Sequence, residues 1–320
     1  METFFIILAA VLILLAGAFF YVCYLLFALA VSKDIPRIMR PLMSGLLGGF
    51  NVNELEMTKT GHAFFDAAEK EKWQVTSRDG LKLSAWYIPC KEARATVILM
   101  HGYRSCAMHD FSGVLPFYNS LGLNILLCDQ RAHGESEGKY IGYGLLERYD
   151  LHSWVLEHNR RVGEGTPIIL DGISMGGATV LFSSALDMPE NVVGMIDDCG
   201  YYSAKEQIQH VMRLMKIPVF PFYQVANGFC RVFAGYSFSE LDARESLKKT
   251  KIPVLFIHGG ADDFVPCEMG HSAHDSCASE KRIFISKEAS HGMSYVLETE
   301  RCQEMLREFL DLILEDKKAD

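Results

Sequence analysis

The sequence predicts an α/β fold: a mostly parallel central sheet with helices on both faces, a helical insert, and one N-terminal transmembrane helix. Three observations predict it. From about residue 96 onward, short apolar runs alternate with longer helix-like stretches, as strands buried on both faces require. One of these runs, Ile168-Ile169-Leu170, passes through Gly172-Ile173-Ser174-Met175-Gly176 directly into a helix-like stretch. Residues 4–31 carry neither a charge nor a proline.

Taken in order, residues 1–32 read as a membrane anchor. As a helix, residues 4–31 would measure about 42 Å, enough to cross a ~30 Å hydrocarbon core with tilt. Ala28-Leu29-Ala30 resembles a signal-peptidase site. The apolar run is nevertheless too long for a signal peptide, and only Glu2 stands where a basic segment would be needed. Lys33, Arg37 and Arg40 follow the span and no Lys or Arg precedes it, so the positive-inside rule puts the large C-terminal part in the cytoplasm. Residues 33–72 read as a linker, with Pro36, Pro41, Gly45, Gly48 and Gly49, ending in a short amphipathic helix over 61–72.

The main domain is expected over 73–320. It opens with strands at 73–77 and 81–88 around Asp79-Gly80, a hairpin signal that puts an antiparallel pair at one sheet edge. Strands follow at 96–100, 124–128, 192–196, 253–257 and 282–285, besides the one before Gly172. Helices are expected at 109–121, at 144–161, after Gly176, and at 294–314. The last carries Met305, Leu306, Phe309, Leu310 and Ile313 on one face. The rhythm breaks once, over about 201–250. This aromatic-rich stretch, with Pro218 and Pro221 near its middle, reads as a kinked helical cap lining an apolar pocket.

Composition excludes some functions. The net charge of −9, with no Lys/Arg cluster interleaved with aromatics, gives no footprint for nucleic acid. Nine cysteines without C-x-x-C spacing read as reduced core residues, which fits a reducing compartment.

The Gly172–Gly176 junction has the context of a nucleophile elbow, a tight strand-to-helix turn that lifts Ser174 into reach of a base. A hydroxyl needs such a base at neutral pH. His291, in Ser290-His291-Gly292 after the last strand, lies where one is required. His101 and His258 stand at strand ends beside glycine and read as shaping backbone. His271 and His274 read as an exposed helix face. The acid that orients the histidine is assigned to Asp262, with Asp263 as its neighbour or a helix cap. Two amides form the expected oxyanion hole: Met175 N–H at the start of the elbow helix, and Tyr103 N–H in the loop His101-Gly102-Tyr103.

From about Trp73 to the C-terminus the chain resembles the α/β-hydrolases of the serine hydrolase superfamily. Within them it is similar to the bacterial esterase and peptidase-like group related to peptidase families S9 and S33. The resemblance rests on His101-Gly102-Tyr103, Asp129-Gln130-Arg131-Ala132-His133-Gly134-Glu135-Ser136, Gly172-Ile173-Ser174-Met175-Gly176, His258-Gly259…Asp262…Val265-Pro266 and Ser290-His291-Gly292. Ala132 stands where many relatives have glycine. The resemblance implies an α/β-hydrolase fold and the nucleophile–acid–base order Ser174, Asp262, His291. It implies a mainly structural Asp129–Ser136 loop. The activity expected is hydrolysis of a carboxylic ester with an apolar acyl or aromatic group, with no metal or organic cofactor. A serine peptidase is the alternative, and a non-catalytic membrane scaffold on the same fold a third reading. Expected partners are a small ester or peptide and, through the N-terminal helix, a membrane.

Overall fold

The structure, a computed structural model, describes residues 1–36 and 55–315. Arg37, Arg40 and the glycines of the expected linker therefore lie outside the described residues.

Eight strands form one sheet: β1 (Glu71–Thr76), β2 (Lys82–Ile88), β3 (Ala95–Met100), β4 (Leu123–Asp129), β5 (Ile168–Ile173), β6 (Val192–Asp198), β7 (Val254–Gly259) and β8 (Lys281–Ser286). Their spatial order is β1-β2-β4-β3-β5-β6-β7-β8. The β1–β2 hairpin sits at one edge, with β2 antiparallel to both β1 and β4. All pairs from β4 to β8 are parallel. Side chains of successive strand residues point to opposite faces. In β3, Ile98 and Met100 therefore join one core layer while Val97 and Leu99 join the other. The first layer packs under the helices Glu147–Arg161 and Met175–Ser183 and under the cap; the second packs under Ala107–Phe111, Leu115–Ser120 and Thr299–Glu315. Each fully buried Leu, Ile or Phe in these layers contributes roughly 1.5–3 kcal/mol.

Three expectations about the elements change. The helix expected over 61–72 is Glu56–Ala67, because Glu71 and Lys72 already pair with Tyr87 and Trp86 in the hairpin. Gly61 is not near its start but at a crossing, where any Cβ would overlap the Ser112 carbonyl. The helix expected over 109–121 is two short ones, and the C-terminal helix breaks at Glu298 into Ser294–Leu297 and Thr299–Glu315.

The insert is helical as expected: Ala204–Leu214, Phe222–Phe229, a π-helical turn Cys230–Ala234, and Ala243–Leu247. Ser203 caps the first of these by accepting from Glu206 N.

The N-terminal helix runs from Glu2 to Val31 and is long and apolar enough to cross a membrane. Its surplus length is not all left to tilt. Residues 2–22 are exposed apart from a half-buried Phe19, whereas Cys23, Phe27, Ala28, Leu29 and Val31 are buried. The exposed part measures about 32 Å, close to the ~30 Å hydrocarbon core. The buried part packs on the cap, with Phe27 against Phe229 and Phe233, and Phe19 of the preceding stretch meets Phe222. Carbonyls at a helix end need outside donors. Here Tyr103 and Tyr143 hydroxyls donate to Ala30 O (2.7 and 3.0 Å), and Arg104 donates to Leu29 O (2.9 Å) and Ser32 O (2.6 Å). Ile141 N donates to Val31 O and Lys33 N to Lys139 O, locking the exit of the helix onto the domain.

Candidate active site

The β5 strand ends in the turn its glycines allow. A Cβ on Gly172 would overlap the Gly176 backbone, and one on Gly176 would overlap the Met100 carbonyl. Ser174 sits at φ 57°, ψ −115°, outside the regions a side-chain-bearing residue favours. Its N–H donates to Asp198 O (2.7 Å), tying the turn to β6.

The parallel sheet delivers the loops after β3, β5, β7 and β8 to one edge. There the structure brings Ser174, Asp262 and His291 together. Ser174 Oγ lies 2.8 Å from His291 Nε2, and His291 Nδ1 lies 2.7 Å from Asp262 Oδ2. Burial alone would raise the Asp262 pKa; hydrogen bonds from His258 and His291 outweigh it and hold the carboxyl at about 2. An ionised carboxylate only accepts, so His291 carries its proton on Nδ1 and turns a lone pair toward the Ser174 hydroxyl. Asp262, rather than Asp263, also caps the loop, since its Oδ1 accepts from Phe264 N (2.9 Å) and Val265 N (2.8 Å).

Tyr103 borders both cavities that Ser174 borders, and Met175 follows Ser174 in the chain. Met175 opens the elbow helix, whose free N–H end faces the serine. In the loop after β3, Gly102 N donates to Asp110 Oδ2 (2.7 Å) and Arg104 N to His133 Nε2 (3.0 Å). Tyr103 stands between these two fixed amides. Asp110 is held ionised: burial raises its pKa, but His109, His101 and Ser105 outweigh that.

Among the described residues, Cys199, Asp262 and His291 offer ligand atoms within 4.8 Å of one another. Burial pushes the Cys199 thiol well above its usual pKa, Asp262 is bonded to His291, and His291 to Ser174.

Ser174 opens onto two cavities. On one side is a cleft of about 1050 Å³ bordered by Met57, Asp110, Tyr118, Asp171, Asp263 and Tyr295. On the other is a narrow cavity of about 90 Å³ under the cap, walled almost entirely by apolar side chains.

Comparison with known proteins points to a hydrolase. A family model described as "Serine aminopeptidase, S33" matches residues 91–234. An esterase of Pyrococcus furiosus superposes with a TM-score of 0.65 at 25% identity, over 78% of this chain and 94% of that one. The chain has the α/β-hydrolase fold, and these matches mark it as a hydrolase. Protein YqkD of Bacillus subtilis is 27% identical over 258 residues, 79% of this hydrolase and 84% of the relative. A Saccharomyces cerevisiae protein described as an uncharacterized membrane protein is 24% identical, over 75% of the hydrolase and 79% of its own length.

Sequence reasoning missed two contributors to this hydrolase's site, Asp110 and His133, and read His258 as shaping backbone, as its bond to Val265 O bears out. Asp110 and His133 pin the amides around Tyr103, and His258 stands 3.5 Å from Asp262 while donating to Val265 O. The Asp129–Ser136 loop is structural where expected, with Arg131 bonded to Asp150 and Asp79, but its His133 reaches the site. Burial lowers the His133 pKa to about 3, which leaves Nε2 free to accept the Arg104 amide. The cue in the sequence was the motif itself; its contact with the 101–105 loop was not visible there.

Proposed function

We propose that this hydrolase is a serine esterase that cleaves carboxylic esters with an apolar acyl group. The observation that carries the reading is the unbroken chain Ser174 Oγ, His291, Asp262 at 2.8 and 2.7 Å, opening onto the narrow apolar cavity. In this reading His291 Nε2 takes the hydroxyl proton as Oγ attacks the carbonyl carbon. Asp262 steadies the imidazolium. The Met175 and Tyr103 amides hold the developing oxyanion, an interaction worth about 3–4 kcal/mol per donor in comparable sites. His291 then passes the proton to the leaving alcohol, and water, deprotonated by the same histidine, releases the acid and restores Ser174.

A peptidase is the second reading. The cleft of about 1050 Å³, with Asp110, Asp171 and Asp263 on its border, favours it, as does the matched family description. The scaffold reading has no support from a site so completely hydrogen-bonded. A fluorophosphonate probe, a short-chain p-nitrophenyl ester and an aminoacyl p-nitroanilide separate these readings. Wild type should label and cleave the ester at least about 10³-fold faster than Ser174→Ala, which should not label. Equal labelling of the two proteins removes the serine mechanism, and amide turnover without ester turnover favours the peptidase.

We further propose that the N-terminal helix crosses the membrane once, with the hydrolase domain on the cytoplasmic face. The excess of Lys33, Arg37 and Arg40 on that side of the span supports this orientation.

A further inference from the structure

The cavity on the cap side of Ser174 has an unexpected wall. Besides cap residues such as Met212 and Ile217, it is bordered by Leu26, Phe27, Leu29 and Ala30 of the N-terminal helix. Leu26, Leu29 and Ala30 stand three and four positions apart and so share one helix face. Side-chain hydrogen bonds from Tyr103, Tyr143 and Arg104 to Leu29 O, Ala30 O and Ser32 O fix that face in place. Tyr103 is itself the residue whose amide the esterase reading assigns to the oxyanion. The helix end, the oxyanion loop and the cavity are thus one bonded unit.

We propose that the last two turns of the membrane helix form one side of the acyl pocket and set the length of acyl chain the enzyme accepts. The proposal rests on the esterase reading above and names its acyl subsite. The same helix continues without a break into the exposed apolar stretch of residues 2–22. Next to it the cap exposes Phe220, Val232 and Phe233, an apolar surface continuous with the span through the Phe19–Phe222 and Tyr24–Phe233 contacts. The pocket therefore lies at the bilayer surface, and its substrate class is a short-chain acyl ester that partitions into the membrane. Here a helix whose composition marks it as an anchor closes part of the pocket.

The test uses the full chain in nanodiscs and p-nitrophenyl esters of two, four and eight acyl carbons. Leu29→Ala enlarges the pocket and should raise kcat/KM for the longest ester relative to acetate. Ala30→Leu fills it and should lower the butyrate-to-acetate ratio at least about tenfold, the discrimination a lost methylene-sized space gives. Both variants should still label with a small fluorophosphonate, and Leu12→Ala, on the exposed stretch, should keep the wild-type profile. Opposite shifts from the two variants are not a sign of general damage. Labelled variants with an unchanged chain-length profile would overturn the proposal. Wild-type protein that turns over none of the three esters overturns the esterase reading itself, and the pocket assignment with it.

Discussion

Holding Ser174 at φ 57° costs about 1–3 kcal/mol, and the neighbouring glycines and the bond to Asp198 O are what sustain it. Strain of that size lifts the hydroxyl to His291, and the rest of the relay depends on which nitrogen carries the proton. Asp262→Asn tests this. The amide keeps an oxygen for Phe264 N and Val265 N but offers N–H instead of an acceptor to His291 Nδ1, which favours the wrong tautomer. Ester kcat should fall about 10³–10⁴-fold while the protein stays folded. A loss below tenfold would show that Asp262 does not set the tautomer. Ser174, Asp262 and His291 were legible because each lies next to a strand end in an order that spacing reveals. Asp110, His133 and His258 were not. His133 acts on Arg104 N from a segment 29 residues away, a pairing one sequence does not record, while Asp110 and His258 act through local loop contacts, with Gly102 N and with Val265 O, that depend on the path of each loop.

The strands were legible to within a residue or two because their apolar runs are bounded by turn residues. Helices with one face on the sheet fared less well. For Glu56–Ala67, periodicity alone could not place the ends, since its crossing over Ser112 demands a glycine mid-helix, where propensity reads a boundary. The N-terminal helix shows another limit. Hydropathy is the same for a residue in lipid and a residue under a cap, so its composition gave no sign that Cys23–Val31 is docked on protein. Its orientation has a direct readout in Cys106, which is exposed. In intact cells expressing the full chain, a membrane-impermeant maleimide should leave Cys106 unmodified, with labelling only after permeabilisation, read by mass spectrometry at that residue. Labelling of intact cells would place the domain on the outer face.

For the whole molecule, the sheet centre carries an acid-dependent contribution to stability. Burial raises the pKa of Asp171 and Asp197 to about 7 and of Asp198 to about 6, against about 3.9 in an unfolded chain. Mutual repulsion adds to the effect, and Tyr118 and His258 only partly offset it. Between pH 4 and 7 the folded state therefore holds more protons than the unfolded one, so these groups make stability fall as pH rises through that range. Asp171→Asn keeps an acceptor for the Tyr118 hydroxyl and removes one titrating group. It should flatten the decline by about 1.4 kcal/mol per pH unit near pH 6, measured by denaturant unfolding at several pH values. An unchanged slope would mean Asp171 is ionised in the native protein. One consequence also follows from where the chain leaves and re-enters the body. Lys33 is bonded to Lys139, and Gly61 rests on Ser112, so both ends of the intervening stretch are held by the hydrolase domain. How far the serine stands from the lipid is set by the bonded exit of the helix at Val31 and Lys33. Residues inserted between positions 36 and 55 would add only a small closure entropy, about 0.6 kcal/mol per doubling, without giving the enzyme any more reach.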